Sequence, residues 1–239
     1  MIPSSLLPAG KSPFAAISSN GYWLVALKET ERTRLAEGDY TYGIFRDNWV
    51  LHGWIGNVAD DTQRCRLLFM DWVPGKYVAA VGEECEGELR VSVCRPDSLR
   101  LREVFRTDQV GSMVFHSWFD SALILVEDKG PIWMIDPLAG ESALICELPV
   151  DRGFIHAVQA SPDGRYLAAE VGDFKRRQSG LVIVDLLTKR SEQLTWERIA
   201  HRHRPVCWPA RDTIRFLRRV PKDTGYQVFE ARLDLSEPW

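Results

Sequence analysis

Charged side chains that could contact a partner are distributed unevenly along the chain. Residues 1–152 hold 15 basic and 22 acidic side chains, whereas residues 153–239 hold 15 and 11. Clusters of like charge on loops suit a polarised surface that steers a charged protein partner, but solvated loops without a partner would give the same pattern. The candidate partner-binding residues are Asp60, Asp61, Glu83, Glu84, Glu86, Glu88, Glu127, Asp128, Lys175, Arg176 and Arg177.

Catalytic patterns are scarce. The sequence contains no G-x-S-x-G, no phosphate-binding loop and no H-E-x-x-H. A glycosidase would need two carboxylates, one as the acid and one as the base or nucleophile, and Asp71 and Glu170 are the candidates on or near inner strands. We expect no catalytic residues and keep the glycosidase as the one enzyme alternative.

Metal and thiol chemistry are also weakly indicated. His201, His203 and Cys207 resemble part of a metal site, but arginines at 202 and 204 would repel a cation. We therefore expect neither a metal nor a cofactor. The five cysteines are odd in number, scattered and without a C-x-x-C pair, so we expect reduced thiols rather than a disulfide framework.

Composition excludes several broad classes. The net charge of −3 over 239 residues argues against a general nucleic-acid binder, which would be basic. Residues 1–8 lack a basic region and an apolar core, so we expect no signal peptide. No apolar run approaches the roughly 18 residues of a spanning helix. We expect a cytoplasmic protein with no contact to membrane or nucleic acid.

A short sequence motif, the repeated phrase, recurs five times at intervals of about 45 residues, and it predicts the strands and turns between which the charged side chains lie. Its clearest copy is residues 159–170, in which Ser161-Pro162-Asp163-Gly164 makes a turn between two apolar strands. Each copy continues into a third strand, and four continue into a fourth. Aromatic residues recur beside the turn, and we interpret them as packing between units; they are Trp72, Trp118 and Trp208.

Successive hairpins at this period predict an all-β chain that folds as one five-bladed β-propeller with four-stranded blades. The last unit lacks its fourth strand, and an unpaired sheet edge is a liability. We expect the N-terminal strand, residues 1–10, to complete that blade. The predicted blades are 11–57, 62–107, 110–149, 153–195 and 202–236.

The unit around Ser161 resembles the repeat of TolB-like or WD-repeat-like β-propellers. The shared pattern is the Ser-Pro-Asp-Gly turn, the strand end at Asp185-Leu186 and the final Leu194-Thr195. The resemblance implies the fold, and such blades serve scaffolds, peptidases and binding proteins alike. Periplasmic members of the family carry signal peptides, which we do not expect here.

These observations favour a non-catalytic protein-binding propeller. Its most specific form is an inhibitor, such as an immunity protein that occludes the active site of a bacterial toxin or effector enzyme. An acidic surface suits a partner with a basic site. Two alternatives stay open, namely a carbohydrate-binding or glycoside-hydrolase propeller and a scaffold subunit of a larger assembly. Loops that differ in length and charge between units favour one large protein partner over a repeated sugar pocket.

Overall fold

All regular structure in the described part of the chain is β-strand. The computed structural model describes residues 11–19, 22–29, 37–38, 41–46, 51–55, 65–98, 100–108, 114–127, 130–148, 154–173, 178–195, 197–198, 203–219 and 226–234. The closing strand predicted for residues 1–10 lies outside these ranges.

The strands form five antiparallel sheets within the described residues, and they fall into two compact units. The first unit comprises residues 1–110 and 137–141, and the second comprises 111–136 and 142–239.

The first unit contains sheets A and B. Sheet A has the order β1-β2-β4-β5, and sheet B has the order β3-β6-β7-β8-β9. The strands are β1 (Lys11–Ser19), β2 (Tyr22–Glu29), β3 (Glu37–Gly38), β4 (Thr41–Arg46), β5 (Leu51–Ile55), β6 (Cys65–Trp72), β7 (Ala79–Cys85), β8 (Glu88–Cys94) and β9 (Leu101–Thr107).

The second unit contains sheets C, D and E. Sheet C is β10-β11-β12-β13, sheet D is β14-β15-β16-β17 with β18 added to β16, and sheet E is β19-β20-β21. The strands are β10 (Val114–Phe119), β11 (Ala122–Glu127), β12 (Pro131–Asp136), β13 (Glu141–Glu147), β14 (Phe154–Ala160), β15 (Tyr166–Asp173), β16 (Gln178–Asp185), β17 (Arg190–Gln193), β18 (Glu197–Arg198), β19 (His203–Ala210), β20 (Thr213–Arg219) and β21 (Tyr226–Arg232).

Turn chemistry explains why the repeated phrase folds into hairpins. Gly75 and Gly164 have φ of 65° and 66°, a region that glycine adopts at little cost. In the third copy Asp120 takes the equivalent role at φ 49°, one position before the serine that the repeat predicts. Short polar residues such as aspartate tolerate this region better than most side chains do.

The interiors of both units are built from apolar side chains, and the inner strands are buried along continuous runs, as in β15 and β16. In the first unit Leu24 of sheet A packs in one cluster with Trp72 and Val81 of sheet B. In the second unit one cluster joins sheets C and D, and another joins Tyr166 and Trp208 across sheets D and E. This burial fixes the strand register, because a one-residue slip would move every side chain of a strand to the opposite face of its sheet.

Candidate functional site

The most sharply defined acidic group lies on the β7–β8 hairpin of sheet B. Only two residues connect the strands, Glu86 and Gly87, with φ of 53° and 85°. Positive φ at both positions is the requirement of a type I′ turn, whose twist matches that of the flanking strands. Sequence analysis placed Glu83, Glu84, Glu86 and Glu88 in a polar loop, and this is wrong for three of them. The short turn leaves Glu83 and Glu84 in β7 and Glu88 in β8.

A disulfide joins Cys65 of β6 to Cys85 of β7, immediately before this turn. The two residues are cross-strand partners with Cα atoms 4.2 Å apart. The expectation that all thiols are reduced is therefore wrong for this pair. Among the described cysteines Cys94, Cys146 and Cys207 are free, and burial, aided by Asp97, raises the pKa of the Cys94 thiol to about 12. A thiol with so high a pKa is chemically inert.

Arginines from neighbouring strands hold two of the hairpin carboxylates. Arg66 of β6 pairs with Glu84. Glu88 accepts from Arg90 at 2.7 Å and lies 3.4 Å from Arg106, which also pairs with Glu103 at 2.8 Å. The hydrogen bond from Arg90 is the main reason that the pKa of Glu88 lies below its usual value.

We call this group the acidic end of sheet B. Its four carboxylates exceed its three guanidinium groups, and Arg106 also pairs with Glu103, which lies outside the group. Glu86 at the tip is exposed, whereas the other three glutamates are half-buried. Sequence reasoning missed the arginines, whose proximity depends on strand pairing that no local motif shows. The acidic end consists of Glu83, Glu84, Glu86, Glu88, Arg66, Arg90 and Arg106.

Glu127 does not belong to any exposed surface, contrary to the sequence-based expectation. It ends β11 with 1% of its surface accessible, and its Oε1 accepts a hydrogen bond from Trp133 Nε1 at 3.0 Å. Its side chain lies on the buried face of the strand, where the indole compensates for lost water. The remaining candidates lie outside the described residues, namely Asp60, Asp61, Asp128, Lys175, Arg176 and Arg177.

The two carboxylates of the glycosidase alternative are both partly or fully buried. Asp71 is half-buried and its Oδ1 accepts the Trp72 amide at 2.8 Å. Glu170 lies in β15 with 3% of its surface accessible. No group of three or more metal-ligating side chains forms within the part of the chain that the structure describes. The described residues contain no helix long and apolar enough to cross a membrane.

Two of the three repeated tryptophans pack as predicted. Trp72 is 6% exposed and belongs to the core of the first unit. Trp208 is 7% exposed, stacks on Tyr166 and donates its Nε1–H to the Gln159 carbonyl at 3.1 Å. Trp118 is only half-buried. Burial makes Trp72 and Trp208 unsuitable as sugar-stacking platforms.

Structural comparison identifies the fold. TolB from Acinetobacter baumannii matches with a TM-score of 0.53 and 13% identity, over 88% of this chain and 49% of that one. A prolyl endopeptidase matches with a TM-score of 0.62 and 13% identity, over 96% of this chain and 35% of that one. Prolyl oligopeptidase B from Galerina marginata matches with a TM-score of 0.57 and 10% identity, over 95% of this chain and 36% of that one. The chain has a TolB-like β-propeller fold. It spans half or less of each of these proteins, and identities this low show the propeller fold alone.

Sequence comparison adds no family assignment to the propeller. No protein-family model matches the chain, and no curated protein matches it either.

Proposed function

We propose that this propeller is a non-catalytic protein-binding domain that contacts a basic partner through the acidic end of sheet B. One observation carries the proposal: the charged side chains lie on a hairpin with a two-residue turn, and three features hold this hairpin in place. The turn sets the strand register, the Cys65–Cys85 bond ties β7 to β6, and Arg66 and Arg90 orient Glu84 and Glu88.

Preorganisation is what makes such a hairpin useful for recognition. Ordering a flexible charged loop costs free energy at binding, and this cost is reduced when the loop is already held in place. Glu86 projects from the tip as an exposed carboxylate. An excess of negative charge on a fixed projection would speed the encounter with a basic surface and disfavour acidic partners.

The most specific form of the proposal is an inhibitor. Nucleases and other enzymes that act on polyanions have basic active sites, and a rigid acidic projection could occupy such a site in place of the substrate. An immunity protein that neutralises a bacterial toxin or effector is the functional class that this mechanism fits.

We propose in addition that the sheets are the blades of a closed five-bladed propeller, with residues 1–10 completing the last blade. Sheet E has three strands in the described range, and the other sheets have four or five. Deletion of residues 1–10 should expose an edge and lower the melting temperature by several degrees, on the order of 1–3 kcal/mol. A truncated protein that melts with the parent would contradict closure.

The binding proposal can be tested by affinity capture from the native cell with three baits. These are the parent, Glu86→Lys, and Glu192→Lys as a matched reversal at an exposed position of β17. We expect a basic protein to be retained by the parent and by Glu192→Lys but lost by Glu86→Lys. Equal recovery with all three baits would assign binding to another surface.

A further inference from the structure

The end of sheet B opposite the acidic hairpin carries a pocket of about 550 Å³. It is formed by the β8–β9 turn, the start of β9 and residues 137–138, all of which belong to the first unit. Arg95, Arg100 and Arg102 line it together with Ser98, and Val78 and Leu101 supply apolar walls. Small-molecule sites typically have volumes of about 300–1,000 Å³ and combine apolar walls with a few polar groups.

Among the described residues, the arginines of this pocket form no salt bridge with a carboxylate, whereas seven arginines elsewhere do. These seven are Arg66, Arg90, Arg106, Arg165, Arg211, Arg215 and Arg232. Arg102 instead donates from Nη2 to the carbonyls of Pro137 at 3.2 Å and Leu138 at 2.9 Å. These carbonyls orient the guanidinium without neutralising its charge.

The turn that carries Arg95 is itself well fixed. The Ser98 amide donates to the Arg95 carbonyl at 3.1 Å, and the Ser98 hydroxyl donates to the same oxygen at 3.2 Å. Pro96 occupies the second turn position, which favours its fixed φ. Asp97 is exposed in this turn, and within the described residues it forms no salt bridge with the pocket arginines. The pocket is therefore a concave surface on a fixed turn, and its three arginines outnumber the one aspartate of that turn.

We infer that this pocket binds a small organic anion, with a phosphate or carboxylate at Arg95, Arg100 and Arg102 and an apolar body against Val78 and Leu101. Guanidinium groups donate paired, charge-assisted hydrogen bonds to both kinds of oxyanion. The apolar walls would favour an ion attached to a hydrocarbon or aromatic group over the free inorganic ion. This site is independent of the acidic end and of the protein-binding proposal.

The test is a calorimetric titration of the full chain with phenyl phosphate, benzoate, inorganic phosphate and phenol. We expect saturable binding of phenyl phosphate or benzoate, and weaker binding of both inorganic phosphate and phenol. The head group that binds more tightly, phosphate or carboxylate, identifies the class of ligand. Failure of both aromatic anions to saturate at millimolar concentration would overturn the inference, as would equal affinity for inorganic phosphate.

Variants locate the site. Arg95→Gln combined with Arg100→Gln should weaken the aromatic anion at least ~10-fold, since tenfold corresponds to one charge-assisted contact of about 1.4 kcal/mol. Arg190→Gln is the matched control, because Arg190 is an exposed arginine on β17 in the other unit. Both pocket positions are exposed, so the double variant should melt with the parent. Unchanged affinity in the double variant, or an equal loss in the control, would overturn the assignment.

Discussion

Arg165 donates two hydrogen bonds to the carboxylate of Asp185, from Nε at 3.2 Å and from Nη2 at 2.9 Å. Asp185 is fully buried, and its other oxygen accepts the amides of Leu187 and Thr188. Arg165 follows the β14–β15 turn and Asp185 ends β16. In this unit the ion pair therefore links the Asp163-Gly164-Arg165 turn to the later Asp185-Leu186 strand end.

Asp185→Asn should destabilise the protein by about 2 kcal/mol at pH 7, because it weakens buried charge-assisted hydrogen bonds. Burial alone would raise the pKa of Asp185, but Arg165 and the amides of Thr188 and Leu187 outweigh it, so the pKa is lowered. A lowered folded-state pKa gives stability above the unfolded value of about 3.9, and this stability is lost as pH falls. The measurement is urea unfolding of parent and variant at pH 7 and pH 3.

The control for this experiment is Glu230→Gln. Glu230 pairs with Arg215 at 2.9 Å, but about half of each side chain is exposed, and exposed pairs contribute little. The account of Asp185 would be contradicted if Glu230→Gln lowered the free energy of unfolding as much as Asp185→Asn does. It would also be contradicted if parent and Asp185→Asn differed as much in this free energy at pH 3 as at pH 7.

Gly164→Val should cost more than about 2 kcal/mol, for two separate reasons. Gly164 has φ of 66°, and a Cβ there would lie 2.1 Å from the ring of Phe119. Thermal unfolding measures the cost. Lys189 looks from the sequence like a neutral loop control, but its φ of 61° makes a β-branched substitution strained there as well.

A better control is Glu192→Val, on the exposed strand β17. It should be nearly silent, because valine suits an extended backbone. If Glu192→Val costs as much as Gly164→Val, then backbone conformation and the Phe119 contact do not explain the glycine.

The repeat predicted the hairpins well because turn and strand chemistry are local. The Cys65–Cys85 bond was not predictable, because it depends on a bulge between Leu67 and Phe69 in β6. Continued from the Trp72–Ala79 end without that bulge, the register would place Arg66 opposite Cys85. The burial of Glu127 likewise depends on tertiary packing, so its charge looked equivalent to a loop charge in the sequence.

Cys65→Ser combined with Cys85→Ser should lower stability by on the order of 3 kcal/mol, the chain-entropy value for a loop of about 20 residues. Unfolding of the parent with and without reductant measures the same bond. Disulfides are rare in the cytosol, so the redox state in the native cell also tests the cytoplasmic location, which stays a prediction. Alkylation before lysis followed by mass spectrometry distinguishes the reduced pair from the disulfide. Alkylated Cys65 and Cys85 indicate a reducing compartment, whereas a pair protected from alkylation contradicts the cytoplasmic location.

The central claim is that the acidic end of sheet B recognises a basic protein, and the association rate of the captured partner tests it most directly. We would measure this rate against salt concentration for the parent, Glu86→Lys and Glu192→Lys. The account predicts a several-fold slower and less salt-dependent association for Glu86→Lys alone, because exposed charges act mainly on the encounter. Parental rates and parental salt dependence in Glu86→Lys would contradict it.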